Sequence, residues 1–502
     1  VDGQQRLTTL IILLKCIELA LDENSIARRN LEETLVKPGG QLVLLQMNNP
    51  NQNIFERFIR EGREPTKNDL ELSADKKLDL AIRECKKFVK EWKEDEASEN
   101  RQESLMRLIL HRVGFVVYDV VEERTVYTTF EVLNSRGLPV DPLDKAKTML
   151  MRAVYESSSA SNTSGVGEKI EGLQKLWERI YREIDKKDVP GQEVLRVAAT
   201  LKFGLKRGKP LSAQDSLKEL NEKASENPNF VTEFSSTLFD CARELSELYG
   251  NPRLGKLSEI FQARLLAVAI RLNGNLTSDD KEKLIKELER VTFRIYGLFG
   301  KDARFESGKF FRLAVNVYKY KDNTTTNMDS IMSELIKLGQ DYPIDDAVAK
   351  GLGGRNLYEE DPDLCRLILW EYERYLANKA GRGSTINKDD EDAIWDKGAD
   401  ESIEHILPQN TDSPPWKNIE ESEKEELKKY VGRIGNLLLL PPLLNKEAKD
   451  KSFAEKKEVY KKCMLRMVQE VCREQDWGFE QIEEREKRII EMVKERWGDL
   501  QP

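Results

Sequence analysis

Apolar residues recur at helical spacing through most of this chain, and that periodicity limits the fold more than any other feature. Ile170, Leu173, Leu176, Trp177, Ile180, Tyr181 and Ile184 follow one another at steps of three and one, which places them on one face of an amphipathic helix. Thr277 followed by Asp280 forms a capping-box pattern ahead of Leu284, Leu288, Val291 and Ile295. The same reading predicts helices over residues 76–93, 192–206, 228–249, 257–272, 362–378, 453–473 and 479–497, and an apolar helix from Leu10 to Leu21. Strand-like stretches are few: 113–121 (VGFVVYDVV), 402–407 and 434–440. The expected fold is mostly α, with a small α/β region early and a ββα-sized unit late.

With 502 residues, the chain is long enough for about three domains. Composition narrows the class. The chain is 39% hydrophobic, which supplies real cores, and 34% charged, above the roughly 25% of an average soluble protein. No apolar run approaches the ~20 residues of a membrane span. The net charge is −9, so contact with nucleic acid has to come from a local patch rather than from an overall basic surface. The six cysteines form no Cys-x-x-Cys pair. They read as reduced thiols of a cytoplasmic protein. The Ser/Gly-rich stretch 155–167 (YESSSASNTSGVG) is the expected main boundary, and 380–385 (AGRGST) a second break. The charge run 420–429 reads as a solvated helix face.

Three clusters carry chemistry. The opening Asp2-Gly3-Gln4-Gln5-Arg6 precedes the Leu10 helix. Unpaired N–H groups at a helix start suit a phosphate, Arg6 offers a planar fork, and the Gln amides both donate and accept. An ordinary polar turn capping a helix has the same composition. A second segment, 130–139, ends in Asn134-Ser135-Arg136-Gly137, read alone as a helix C-terminus with a glycine stop. The third cluster holds one of only two histidines. His405 follows Glu404 at the end of a predicted strand, with Asn436 in the next strand and Asn445 nine residues later. A carboxylate and a carboxamide oxygen can hold Mg²⁺ or Mn²⁺. An imidazole titrating near neutrality can take a proton from water. Lys446, Lys449, Lys451, Lys456 and Lys457 would add local positive charge. The competing view is a buried or surface histidine in an acidic helical protein.

At these motifs the chain resembles the GmrSD-type, modification-dependent (type IV-like) restriction proteins. VDGQQRLTTL and FEVLNSRGLPVDPLDKAK resemble the two signatures of a ParB-like nucleotide-hydrolysing domain. EHILPQ, IGNLLLL and LLNKEAKDKSFAEKK resemble an HNH, or His-Me finger, nuclease domain of ββα-metal type. The resemblance implies three parts: residues 1–155, a ParB-like domain lacking its N-terminal portion; 156–395, a helical middle that transmits and offers a homodimer surface; and 396–502, the nuclease with its closing helices. It implies His405 as general base, Asn436 as the orienting carboxamide, Glu404 and Asn445 as metal ligands and Lys456, in the Phe453 to Lys456 element, as a DNA-phosphate contact. Asp2, Gly3, Gln4, Gln5, Arg6, Asn134 and Gly137 would bind a nucleoside triphosphate. The implied function is a nucleotide-regulated, divalent-metal-dependent DNA endonuclease of a bacterial defence system, with DNA, in base-modified form where the system reads a modification, as its partner. The alternative is a non-catalytic DNA- or partner-binding module switched by nucleotide.

Overall fold

The structure, a computed structural model, describes residues 2–36, 52–70, 73–94, 101–114, 141–159, 166–319, 328–379, 381, 388–410, 412–413 and 420–498. Contacts divide the chain into two compact units, Val1–Gly204 with Pro210–Glu247, and Leu205–Lys209 with Leu248–Pro502.

Among its described residues the first unit has helices and the turns between them, and no strand. Its opening helix, Asp2–Ala20, buries Ile11, Ile12, Cys16 and Ile17 and packs against Ile26–Leu35 and Ser73–Glu94. Phe55, Phe58 and Ile82 complete that core. Fully burying a side chain of this size stabilises by about 1.5–3 kcal/mol, so this cluster holds the opening helix in place. Further along, Pro142–Ser159, Val166–Lys186, Gly191–Phe203 and Ala213–Glu226 pack together, with Trp177 and Ile180 fully buried. Gly204, at φ +99°, stops the third of these, a backbone state that glycine adopts without a Cβ clash.

The second unit carries the strands. Thr277 and Asp280 form the expected capping box, and Ser278–Thr292 packs on Met328–Gln340. Pro362–Lys379 runs through the middle and touches both the sheet and the last helix, Phe479–Trp497. Trp497 stacks on Phe293 at 3.9 Å. Two short strands, β1 (Ile403–His405) and β2 (Leu437–Leu439), pair antiparallel, with Glu404 opposite Leu438 and His405 opposite Leu437. Every strand residue is buried, and β2 is an unbroken leucine run, as expected for a strand covered on both faces. The helix Pro442–Ala448 follows β2 directly. These are the only strands among the described residues, so the mostly-α expectation holds.

Several sequence expectations are corrected. The 453–473 stretch is two helices, Phe453–Tyr460 and Arg466–Val471. The chain turns between them because Cys463 and Leu465 are drawn into the core, a tertiary preference invisible to periodicity. Asp2 to Arg6 lie within the opening helix rather than ahead of it. The Ser-rich 155–159 continues a helix, while 160–165 fall outside the described residues. So do 115–121 of the early strand and all but residue 381 of the 380–385 break. The charge run forms the helix Glu421–Val431, with Glu423, Glu425, Glu426, Lys428 and Lys429 exposed and Leu427 and Val431 buried. All six cysteines are free, and no described helix is long and apolar enough to cross a membrane.

Candidate active site on the β1–β2 hairpin

The strand pair is tied by a side chain at the His405 and Leu437 end, where the 406–436 connection joins the two strands. Asn436 Oδ1 accepts from the Leu407 backbone N–H (2.9 Å) and from Trp477 Nε1 (2.9 Å). Its Nδ2 donates to the carbonyls of Leu407 (3.0 Å) and Val431 (2.8 Å). All four hydrogen bonds of a buried carboxamide are thereby made. Asn436 therefore fixes the backbone just after His405 without reaching reacting atoms. Its neighbour Gly435 could not be another residue, because a Cβ there would lie 2.1 Å from the Ile482 carbonyl. That approach is pinned by Arg485. Fully buried, it donates to the carbonyls of Gly435 (2.9 Å) and Leu437 (2.6 Å).

Glu404 and Lys456 form the central pair. Lys456 Nζ donates to Glu404 Oε1 (2.7 Å) and to the His405 carbonyl (2.5 Å). Tyr460 OH donates to the same carboxylate oxygen (2.9 Å). Burial pushes the Glu404 carboxyl up and the Lys456 ammonium down, and their contact opposes both shifts. The expectation that Lys456 touches phosphate is corrected here. Its ammonium has no exposed surface and is used up inside, as an isolated buried charge must be. Lys457 likewise donates to the Glu474 carbonyl. Lys446 and Lys449 remain exposed beside the site.

Glu404, His405 and Asn445 line one cavity of about 450 Å³, together with Tyr358, Lys446 and Lys449. Asn445 Nδ2 donates to the carbonyls of Glu401 (2.9 Å) and Ile403 (3.2 Å). Only the NH₂ end can serve two carbonyls, so the amide is oriented and Oδ1 is left for the cavity. His405 is 8% exposed, and the Tyr358 ring packs edge-on against it at 4.5 Å. Burial, assisted by the Lys456 charge, lowers its pKa to about 3, so the imidazole is neutral at physiological pH. Its Nε2 is buried without a hydrogen-bond partner, which is where a proton can be received.

Sequence reasoning missed Tyr358, Tyr460 and Trp477. Tyr460 carried a weak signal, four residues after Lys456 on one helix; the other two carried none. It also missed Asp400, Glu401 and Asp450, carboxylates on the cavity wall. Among the described residues, no group of three or more His, Cys, Asp or Glu side chains could hold a metal ion. The predicted ligands and base supply one carboxylate, one carboxamide oxygen and an imidazole nitrogen without a partner. That set fits a hard cation that keeps most of its water, and fits no soft-metal site.

At the other end of the chain, Arg6 is exposed on the first turns of the opening helix, to which Asp2, Gly3, Gln4 and Gln5 also belong. Asn134 and Gly137 fall outside the described residues. His111 is exposed at the end of Arg101–Arg112, away from any of these clusters in sequence.

A family model for the GmrSD restriction endonuclease N-terminal domain matches residues 1–151. A second, for the GmrSD restriction endonuclease C-terminal domain, matches residues 342–492 and so spans the hairpin, Asn445 and Lys456. No curated protein matches the chain. The two family matches occupy opposite ends of one polypeptide, and the chain belongs to the GmrSD restriction endonuclease family.

Proposed function

We propose that this protein is a divalent-metal-dependent DNA endonuclease of the HNH, or His-Me finger, kind, that it serves a bacterial restriction system, and that nucleotide bound at its N-terminal signature gates cleavage. The observation that carries the proposal is the orphaned Nε2 of His405 beside Glu404 and Asn445 on one cavity. The antiparallel hairpin and the helix after it support the ββα reading.

In this reading Nε2 of His405 accepts the proton of the water that attacks phosphorus; burial holds its pKa at about 3 rather than the near-neutral value expected from the sequence, which makes it a weaker acceptor than an exposed imidazole. Its ring is packed against Tyr358, and the backbone that follows it is held by Lys456 and Asn436. Glu404 and Asn445 would hold Mg²⁺ or Mn²⁺, which when bound polarises the phosphate and stabilises the leaving oxygen. Lys456 offsets part of the Glu404 charge and sets its position. Exposed Lys446 and Lys449 would take the DNA backbone. Gating would come from Asp2, Gly3, Gln4, Gln5 and Arg6 together with Asn134 and Gly137. The parts would be residues 1–155, 156–395 and 396–502.

The test incubates the full chain with Mg²⁺ or Mn²⁺ and modified or unmodified duplex, with and without nucleoside triphosphate, beside His405→Ala. Metal-dependent cleavage is expected, falling by about 10²–10⁴-fold in the variant. Cleavage at equal rates by both proteins would sink the general-base assignment. No cleavage by either, with DNA binding retained, would instead favour the non-catalytic binding module.

A further inference from the structure

One hydroxyl beside His405 is left unused by the fold. The Tyr358 ring meets the imidazole almost at right angles, with centroids 4.5 Å apart. The phenol is half-buried on the wall of the cavity that Glu404, His405 and Asn445 also line. Among the described residues its hydroxyl has no hydrogen-bond partner, and the oxygen keeps accessible surface. A tyrosine buried for packing alone usually finds a partner for that group.

The chain holds Tyr358 in place. It lies on the one-turn helix Leu357–Glu360, capped by the Asn356 side chain, which accepts from the Glu359 N–H (3.3 Å). Leu357 is buried in the core, and the helix packs on Pro362–Lys379. A group that touches a reacting centre has to be placed by packed neighbours of this kind. Burial, and after it the Asp400 carboxylate, push the phenol pKa up, so the hydroxyl carries its proton at physiological pH and can donate it to a hydrogen bond. Asp400 itself lines the cavity, so the phenol oxygen that feels its charge lies on the cavity side.

A neutral donor suits this wall. Asp400, Glu401, Glu404 and Asp450 all line it. A cation among carboxylates pairs with one of them, as Lys456 does with Glu404 (2.7 Å) and Lys446 with Glu401 (3.8 Å). A phenol hydroxyl has no charge for them to capture and stays available to a substrate oxygen. We infer that Tyr358 is a catalytic residue of this site: its hydroxyl donates to a non-bridging oxygen of the scissile phosphate as negative charge builds there. This inference rests on the endonuclease reading above. Tyr358 keeps its proton throughout. The attacking water gives its proton to His405 Nε2, its oxygen forms the new bond to phosphorus, and the bond to the leaving oxygen breaks.

The test compares wild type, Tyr358→Phe and His405→Ala as full chains with duplex DNA and Mg²⁺ or Mn²⁺, with and without nucleoside triphosphate. Phenylalanine keeps the ring against His405 and removes only the hydroxyl. Single-turnover cleavage by Tyr358→Phe should fall by about 10–10²-fold, short of the 10²–10³ lost with a fully enclosed donor. Duplex affinity, read by fluorescence anisotropy in EDTA, and melting temperature should stay at their wild-type values. Cleavage by Tyr358→Phe at the wild-type rate, where His405→Ala is impaired, overturns the inference and leaves the endonuclease reading intact. A loss of affinity equal to the loss of rate overturns it too, because the contact then serves binding alone. So does a lowered melting temperature, because the hydroxyl then serves the fold. No cleavage by wild type removes the reading and this inference together.

Discussion

The two ends of the chain carry their signature residues in opposite ways. At the hairpin, Glu404, Asn436 and Lys456 are buried and each is hydrogen-bonded to named partners. At the opening helix, the apolar side is buried through Ile12 and Ile17, while Arg6 is exposed. A polar group inside the protein is part of the fold, because leaving it unpaired costs more than making its bond gains. On the surface, a polar side chain can be replaced at little cost to the fold. Substitutions at the hairpin should therefore damage stability and cleavage together, and those at Arg6 should separate stability from binding.

Lys456→Met puts the greatest strain on this contrast. It leaves the Glu404 carboxylate buried without its cation and should destabilise by about 3–5 kcal/mol, read as a lower urea midpoint. Adding Glu404→Gln should restore much of that loss. A wild-type midpoint in the single variant would mean the pair is not buried as described. Asn436→Ala comes next. It orphans the Leu407 N–H, the Trp477 indole and two carbonyls, and should cost about 2–4 kcal/mol, with tryptophan fluorescence reporting the freed indole.

Acid should act through His405. Its folded pKa, about 3, lies below the ordinary 6.5, so between those values the unfolded chain binds the proton and the folded protein does not. Stability is complete above pH 6.5 and falls as pH drops towards 3. At pH 5 the loss from this group is about 2 kcal/mol, and His405→Gln should lack that portion of the pH dependence in unfolding curves. The smallest expected effect is at the other end. Arg6→Ala should change stability by no more than about 0.5 kcal/mol, yet weaken nucleotide binding measured by titration. A large fall in stability there would erase the difference between the two regions.

What was legible in the sequence follows the same division. Helices with local signals, such as the Thr277–Asp280 cap and the 479–497 face, lie where their spacing places them. The two strands were visible as short apolar runs, although Asn436, expected inside the second, lies in the 3-10 turn Ile434–Asn436 just before it. Lys456 was read as a phosphate contact from its place in the Phe453 to Lys456 element, and its carboxylate partner lies fifty-two positions away. Trp477, forty-one positions from Asn436, left no pattern at all. The turn inside 453–473 depends on which residues the core draws in, and periodicity records only that a face is apolar.

Arg485 has a consequence for how the molecule matures. The carbonyls of Gly435 and Leu437 are sealed by a guanidinium that the ribosome adds some fifty residues later. A growing chain thus presents the β2 end of the strand pair before the side chain that clasps it has been made.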